Sequence, residues 1–252
     1  MMEKIAVFPA GKRIFDLLIV FATAPIWIPT LMVCALATLI FEGRPVFYAS
    51  PRRVHGDKVI TVYKFRTMRR NADTQYNRDT VPISGKCFLN ISPESPLYTS
   101  TGRIIERCML TEIPQLWHVI LGQMSLVGNR PLPVNVVEAL REMHPDVDVR
   151  FLAPSGLTGP VQLVGRDFIS DTDRLALEAA YVTKVSQSQS VLLDIKILTL
   201  TVAAGLSPRW RLTLDQVFEL IEQHEQREPT PADQPDERTP TEPIRGNPNA
   251  ER

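Results

Sequence analysis

Thr111, Glu112 and Arg130 are the residues whose types and spacing suit phosphate chemistry. Thr111 and Glu112 place a hydroxyl beside a carboxylate, directly before the run Ile-Pro-Gln-Leu-Trp. Arg130 lies in the sequence VGNRP, between an Asn turn and Pro131. A rigid arginine in a turn suits bidentate binding of an oxyanion. The three residues therefore define a candidate anion-binding site.

Each of these residues also has a purely structural explanation. A threonine N-cap, an acid in the first turn and an early proline are ordinary features of a helix start. Thr111, Glu112 and Pro114 follow that order. A position at the surface is likewise the commoner outcome for an arginine such as Arg130. Spacing alone leaves both explanations open.

Two further basic residues follow a predicted strand. Residues 59–63 are β-branched or aromatic and come after a Gly-Asp turn, which predicts a strand. Lys64 and Arg66 are two positions apart, so in an extended chain their side chains face the same way. They could bind phosphate, or they could contact lipid headgroups beside a membrane segment.

The element that must position this chemistry is the apolar segment 14–41, whose single charged residue is Asp16. As one helix it would reach roughly 42 Å, more than the ~30 Å hydrocarbon core requires. Pro25 and Pro29 stand in its middle, and proline removes a backbone donor and clashes with the preceding turn. We expect the helix to break there, into halves of about 15 and about 12 residues that are each too short to span.

Basic residues flank this segment on both sides. They are Lys4, Lys12 and Arg13 before it, and Arg44, Arg52, Arg53 and Lys58 after it. A single span normally leaves its positive flank in the cytoplasm and its less positive flank outside. Two positive flanks favour a re-entrant hairpin, which enters and leaves by the same face. A kinked spanning helix is the alternative.

The remainder of the chain predicts an α+β fold that is mostly helical, with a small β component and interfacial amphipathic helices. Apolar periodicity predicts helices at 102–108, 133–143, 172–184, 191–206 and 213–226. The helix at 191–206 contains Asp194 and Lys196, so it fits an interfacial or packed helix better than a span. Residues 71–101 predict a long polar loop.

Composition excludes several classes of protein. The 252 residues have zero formal charge and an isoelectric point near 6.9, so no strong field favours nucleic acid. Cys34, Cys87 and Cys108 lie far apart with no Cys-x-x-Cys motif. This pattern is neither a disulfide framework nor a zinc site, and it fits a reducing compartment.

Five blocks, in order, resemble the bacterial sugar transferases, which are monotopic polyprenyl-phosphate phosphoglycosyl transferases. The blocks are KRIFD (12–16), KFRTM (64–68), LTEIPQLWHVILGQMSLVGNRP (110–131), SGLTGPVQLVGRD (155–167) and LLDIKILTLT (192–201). In addition, Pro29 falls where that family breaks its re-entrant helix. Each block alone is a modest signal, but five in register are highly specific.

The resemblance implies an activity and a place in the cell. Such enzymes transfer a sugar phosphate from a UDP-sugar to membrane polyprenyl (undecaprenyl) phosphate and release UMP, which initiates exopolysaccharide or lipid-linked glycan synthesis. They act at the cytoplasmic face of the bacterial inner membrane with Mg²⁺ nearby, and glycan-pathway proteins are further candidate partners. The attack on phosphorus needs an anionic nucleophile, charge neutralisation by Mg²⁺ or Arg, and a dry site.

The resemblance also implies roles for individual residues. Glu112 and Thr111 are implied as catalytic, with Glu112 as the metal ligand, and Pro25 and Pro29 as the membrane break. The basic positions implied in phosphate binding are Lys64, Arg66, Arg107, Arg130 and Arg166. The implied organisation is a lead (1–11), a re-entrant hairpin (12–41), a cytoplasmic transferase domain (42–210), an accessory helix (211–227) and a disordered tail (228–252).

The chain departs from the family pattern at Thr111, where the family has the nucleophilic Asp of an Asp-Glu dyad. Gln123 and Asn129 also replace an Asp and a Pro of that pattern. Three explanations stay open. Glu112 takes over as nucleophile or activates Thr111, the reaction is a single displacement, or the chain is an inactive homologue. An inactive homologue would bind nucleotide-sugar or polyprenyl phosphate, or scaffold an active transferase.

Overall fold

The computed structural model describes residues 10–70, 72, 88, 91–165, 169–188 and 191–223. Its helices are α1 (Ala10–Ala22), α2 (Ala24–Glu42), α3 (Ser100–Arg107), α4 (Leu116–Ile120), α5 (Val134–Met143), α6 (Pro160–Val164), α7 (Asp171–Ser188), α8 (Val191–Leu206) and α9 (Leu214–Glu222). Its strands are β1 (Phe47–His55), β2 (Lys58–Phe65), β3 (Ser125–Val127), β4 (Leu132–Pro133) and β5 (Gly156–Thr158). Short 3-10 helices cover Ile113–Gln115, Pro145–Phe151 and Pro208–Trp210. The predicted α+β class, mostly helical with a small β component, is confirmed.

The N-terminal apolar segment forms two helices that meet at Thr23. Pro25 lies in the first turn of α2, where a missing N–H leaves no helical hydrogen bond unmade. The Trp27 indole donates to the Val20 carbonyl across the joint at 2.9 Å. Pro29 lies inside α2 and does not end it. The two helices thus meet beside Pro25, whereas α2 continues through Pro29, whose lost bond falls near the start of a long apolar helix.

Helix α2 is longer than the sequence suggested. It has 19 residues with a mean hydropathy of 2.0, and 11% of that stretch is buried. At 1.5 Å per residue its length is about 28 Å, close to the ~30 Å hydrocarbon core. The prediction that both halves are too short to span is wrong for α2, because length and composition alone would let it cross a membrane.

The folded domain holds the start of α1 and the end of α2. At the start, buried Lys12 forms an ion pair with Asp194 on α8. At the end, Arg66 donates to the carbonyls of Glu42 and Gly43, at 2.8 and 2.7 Å. Both ends of the apolar segment are thus fixed to the same domain, and the joint at Thr23 lies between them.

A β-hairpin forms the wall nearest the predicted site. β1 and β2 are antiparallel around a turn at Gly56, whose φ of +50° favours glycine. The predicted strand at 59–63 is confirmed and extends over the whole of β2, whereas its partner β1 was not predicted. β4 pairs with β1 on the other side, and a separate parallel pair joins β3 to β5.

The main core lies between α1, β3 and the C-terminal helices. Its fully buried members include Val20, Val127, Leu163, Leu177, Ile197 and Val217. The predicted helices at 133–143, 172–184 and 191–206 are confirmed as α5, α7 and α8. The predicted accessory helix forms α9, which begins at a Thr213 capping box and buries Val217 and Ile221 in this core. The tail at 228–252 and most of the predicted loop at 71–101 lie outside the described residues.

Breaking the Lys12–Asp194 pair should destabilise the protein. Lys12 is 3% exposed and Asp194 is 1% exposed, and burial raises the pKa of Asp194 although Lys12 opposes the rise. Removing one partner of a buried pair costs about 3–5 kcal/mol, because the other charge stays buried alone. We expect Asp194→Asn and Lys12→Met each to lower the Tm of the detergent-solubilised protein, and Lys12→Met with Asp194→Leu to recover much of the loss.

A matched control for this measurement is Glu94→Gln. It breaks the exposed ion pair with Arg107 and should leave the Tm unchanged. A double variant that loses as much as the sum of the two single variants would show that the pair does not couple α1 to α8.

Candidate active site

A small cleft lies where the β1–β2 hairpin meets the 3-10 helix at Ile113–Gln115. It encloses only about 10 Å³ of space, and the rest of the hollow is open to solvent. Its lining residues are Ser50, Arg52, Val62, Lys64, Glu112, Gln115, Arg130 and Pro131. Three of them are basic and one is acidic, so the cleft suits a ligand with more than one negative charge.

The arrangement of the cleft follows from strand geometry. Alternate residues of a strand share a face, which puts Ser50 with Arg52 on β1 and Val62 with Lys64 on β2. Ser50 is directly opposite Val62 in the antiparallel register, so the two faces are continuous. Lys64 also lies over the ring of Tyr48, with its ammonium nitrogen 5.1 Å from the ring centroid.

Glu112 and Arg130 form a two-point ion pair at the edge of the cleft. Arg130 Nη1 donates to Glu112 Oε2 at 3.0 Å, and Nη2 donates to Oε1. The side chains are 18% and 19% exposed, so water screens the pair only in part. Burial alone would lower the pKa of Arg130, but the charge of Glu112, and more weakly that of Glu106, raise it above its usual value. Arg130 is therefore a fixed and permanent positive charge.

A buried network fixes the backbone of the turn that contains Arg130. Arg150 donates to both carboxylate oxygens of Glu178, at 2.7 and 2.9 Å, and to the Arg130 carbonyl at 3.0 Å. The Asn129 amide donates to the carbonyls of Arg150 and Glu178, at 3.2 and 3.1 Å. The replacement of the family's Pro by Asn129 thus adds two buried hydrogen bonds to the turn. Residues of α7 and of the 3-10 helix at Pro145–Phe151 therefore hold the backbone of the turn that contains Arg130.

Two of the sequence blocks meet directly behind this turn. A Cβ atom at Gly128 would lie 2.3 Å from the Pro154 carbonyl, and one at Gly156 would lie 2.2 Å from the Gly128 nitrogen. Only glycine fits two backbones at this distance. The Gly128 amide donates to the Thr158 carbonyl at 2.8 Å, which continues the β3–β5 pairing up to the turn.

The structural explanation of Thr111 required it to cap a helix, but Thr111 is not an N-cap residue in the structure. Its hydroxyl donates to Glu106 Oε2 at 2.8 Å, and its carbonyl accepts from the Phe65 amide at 3.0 Å. Glu112 occupies the N-cap position of the 3-10 helix and makes no side-chain cap. Both side chains of the pair are directed to tertiary partners, Glu106 and Arg130, rather than to the local backbone.

The remaining predicted site residues are not all brought together. Arg66 is buried against the end of α2 and does not line the cleft, because β2 ends at Phe65 and the alternation with Lys64 stops there. Arg107, on α3, is exposed and pairs with Glu94 at 2.5 Å. Arg166 lies outside the described residues. The cleft therefore collects Lys64, Glu112 and Arg130 from the predicted set.

Sequence reasoning missed Arg52 and Glu106. Arg52 was counted as a membrane flank, because β1 was not recognised and its register against β2 was unknown. Glu106 is five residues before Thr111, and their contact depends on the turn that follows α3. Arg150 and Glu178 are far apart in the sequence, and no local pattern signals their pairing.

The carboxylates near the site limit what metal it could hold. Within the described ranges, no three His, Cys, Asp or Glu side chains gather into a metal site. Mg²⁺ usually takes one or two protein carboxylates and completes its shell with water and substrate phosphates. Glu112, which lines the cleft, fits that smaller requirement.

Comparison with known proteins identifies the family of this chain. The family model described as bacterial sugar transferase matches residues 7–208. The chain belongs to the bacterial sugar transferase family.

Named relatives cover most of the chain. It is 35% identical over 200 residues to the uncharacterized sugar transferase EpsL of Bacillus subtilis (strain 168), covering 76% of this chain and 85% of EpsL. It is 30% identical over 216 residues to the exopolysaccharide production protein ExoY of Rhizobium meliloti (strain 1021), covering 79% and 88%. It is 30% identical over 195 residues to the UDP-glucose:undecaprenyl-phosphate glucose-1-phosphate transferase of Klebsiella pneumoniae, covering 77% of this chain and 40% of that protein.

A carboxylate introduced at Thr111 should be destabilising because Glu106 is already there. Two carboxylates within hydrogen-bond distance cannot both ionise easily, so the pKa of one is raised. A raised folded-state pKa means that stability is lost as the pH rises through it. We expect Thr111→Asp to lower the Tm more at pH 8 than at pH 5, measured by thermal unfolding in detergent.

Two variants check the cause. Thr111→Asn has the same shape without the charge and should show no such pH dependence. Glu106→Gln combined with Thr111→Asp should remove the pH dependence. Equal Tm losses at both pH values for Thr111→Asp would contradict the Glu106 contact.

Proposed function

We propose that this protein transfers a sugar phosphate from a UDP-sugar to undecaprenyl phosphate at the cytoplasmic face of the bacterial inner membrane, releasing UMP and initiating exopolysaccharide synthesis. Family membership supports a transferase. The activity named for the Klebsiella relative supports the donor and the acceptor, and the name of ExoY supports the pathway. The observation that carries the proposal is the fixed Arg130–Glu112 pair at the edge of a cleft that also contains Lys64 and Arg52.

The residues of the cleft have separable tasks in this reaction. Arg130, held by Glu112, faces the negative charge that develops on the phosphoryl oxygens and stabilises it without reorganising. Lys64 and Arg52 neutralise the diphosphate of the nucleotide-sugar. The Arg150–Glu178 pair does not line the cleft, and it acts by holding the Arg130 backbone.

A magnesium ion is part of the proposal. Glu112 would hold it, with water and substrate phosphates as further ligands. When bound, it would neutralise charge on the phosphoryl oxygens. Its binding competes with the Glu112–Arg130 pair, because one carboxylate cannot satisfy both cations fully.

The packing of α1 and α2 supports a membrane location and a re-entrant path for the apolar segment. Both ends of the apolar segment are fixed to one domain, while its middle exposes large apolar side chains. These include Phe21, Ile26, Met32, Val33, Leu36 and Ile40. A segment that enters the bilayer with both ends fixed to one domain must return to the same face. Lipid would cover its apolar surface. The cleft would then lie near the depth of the lipid headgroups.

Thr111 supports a second candidate function. The position of the family's nucleophilic acid holds a hydroxyl, and the neighbouring Glu112 is occupied by Arg130. A homologue without turnover would still bind a nucleotide-sugar or polyprenyl phosphate through its basic cleft, or scaffold an active transferase. UMP release by purified protein with undecaprenyl phosphate, Mg²⁺ and a panel of UDP-sugars separates the two. Release supports the enzyme, and UDP-sugar binding without release supports the second candidate.

Replacing Arg130 by lysine should impair turnover. Lysine keeps the charge but cannot make the two-point contact with Glu112 or with a phosphoryl group. A charged hydrogen bond contributes about 1.5–3 kcal/mol, so we expect kcat/KM for UMP release to fall about 10- to 100-fold. Arg141→Lys is the control, because Arg141 lies on α5 away from the cleft and pairs with Asp148. Equal activity of both variants would remove Arg130 from the mechanism.

Cysteine labelling tests the re-entrant arrangement. In a background without the three native cysteines, Ala10→Cys and Lys58→Cys place thiols on the two exposed flanks of the apolar segment. We expect a membrane-impermeant maleimide to label both from the cytoplasmic side of oriented vesicles and neither from the other side. Labelling of the two flanks from opposite sides would establish a spanning helix.

A further inference from the structure

We propose that Glu106 is the general base that activates the Thr111 hydroxyl, so that the Thr111–Glu106 pair acts as the nucleophile of this transferase. This inference rests on the proposed function. It places the carboxylate that position 111 lacks on a neighbouring helix, five residues earlier in the chain.

The contact between the two side chains has the geometry of a nucleophile and its base. Thr111 Oγ1 donates its proton to Glu106 Oε2 across 2.8 Å. That distance is within the 2.6–3.2 Å range in which a base can take a proton from a nucleophile. Thr111 is 6% exposed, so bulk water does not compete for the hydroxyl. Glu106 is half-buried and is not part of another ion pair in the described structure.

Glu112 is less suited to this role, although it is adjacent to Thr111. Both of its carboxylate oxygens accept from Arg130, so they are already engaged by a fixed cation. The Thr111 hydroxyl is directed to Glu106 instead. The two acids thus have different roles. Glu112 orients Arg130, the cation that binds oxyanions, and Glu106 accepts the proton of Thr111.

The backbone turn after α3 brings Glu106 and Thr111 into contact. Helix α3 begins at a Thr99 N-cap and ends in a turn where Met109 adopts a φ of +57°. The Leu110 amide returns to the Ile105 carbonyl at 2.9 Å, which closes a helix end that usually has glycine at the left-handed position. A non-glycine residue there is strained. The strained turn reverses the chain so that Thr111 lies beside the last turn of α3.

The base shares its surroundings with the oxyanion-binding cation. The charge of Glu106 contributes to the raised pKa of Arg130, together with that of Glu112. Thr111, Glu106, Glu112 and Arg130 therefore form one electrostatic unit. Glu112, the residue that follows Thr111, lines the cleft.

The proposed step balances as two displacements. Thr111 Oγ attacks the β-phosphorus of the UDP-sugar while its proton moves to Glu106, and the bond from that phosphorus to the α–β bridging oxygen breaks, so UMP leaves with the electron pair. The sugar phosphate is then a diester on Thr111. An oxygen of undecaprenyl phosphate attacks the same phosphorus, the bond to Thr111 Oγ breaks, and Oγ takes its proton back from Glu106.

Variants at the two positions test this assignment through UMP release. Glu106→Gln keeps a carbonyl that can accept the Thr111 hydrogen bond but removes the basicity, so the fold should be preserved. General-base catalysis contributes about 10²–10⁴-fold. We expect Glu106→Gln to lower kcat at least 100-fold with little change in the KM for UDP-sugar. Thr111→Val should be inactive, Thr111→Ser should be active, and Glu94→Gln should match the wild type.

Chemical trapping identifies the residue that is modified. Incubation with UDP-sugar labelled in its β-phosphate, without undecaprenyl phosphate, should leave label on the peptide that contains Thr111. A threonine diester resists neutral hydroxylamine, whereas a phosphoryl group on a carboxylate is released by it. Release of the label by hydroxylamine would place the nucleophile on Glu106 or Glu112 and overturn the assignment.

The remaining outcomes separate this inference from the proposed function. If the wild type releases UMP and Glu106→Gln does so equally well, the role of Glu106 is wrong and the transferase function stands. If the wild type binds UDP-sugar but releases no UMP from any member of the panel, the transferase function fails, and the inference with it.

Discussion

The buried ion pair between Arg150 and Glu178 is the interaction on which the candidate site depends. Both side chains are almost fully buried, and burying a charge is costly unless a partner and further hydrogen bonds compensate for it. Arg150 satisfies Glu178 with two hydrogen bonds and the Arg130 carbonyl with another. The pair therefore couples α7 to the turn at 128–131. A change in the packing of α7 would therefore move the turn that contains Arg130, whose guanidinium pairs with Glu112.

A second buried pair relates the site to the membrane segment. Lys12 on α1 meets Asp194 on α8 and donates to the Val127 carbonyl at 2.8 Å. Val127 is the last residue of β3, and the turn at 128–131, which contains Arg130, follows it directly. The first helix of the apolar segment is thus bonded to the strand that leads into the active-site turn. The position of the apolar segment and the backbone of the turn that contains Arg130 are consequently linked by one buried connection.

Local sequence patterns predicted much of the fold but few of the side-chain contacts in the candidate site. Periodicity located α5, α7, α8 and β2, because each buries one face with a regular repeat. The break at Pro25 followed from the missing donor, but Pro29 stayed inside α2. Arg66 and Arg107 had the right charge at matching positions, yet one fixes the end of α2 and the other pairs with Glu94 at the surface. Side-chain direction depends on strand ends and tertiary partners, which spacing in sequence does not encode. Family membership now makes the transferase fold secure, whereas the pairing of Thr111 with Glu106 required the structure.

Moving the carboxylate from position 111 to Glu106 changes what the second half of the reaction demands. A carboxylate nucleophile leaves readily as an anion, but a threonine oxygen is a poor leaving group unless it recovers a proton. The group that accepted the proton in the first displacement must return it in the second, so Glu106 has to stay within reach of Thr111 throughout. The strained turn at Met109 and the buried position of Thr111 keep that distance short. The rigidity that lets Glu106 act as the base in the first displacement also lets it act as the acid in the second. Departure of the sugar phosphate from Thr111 therefore becomes the step most sensitive to removal of Glu106.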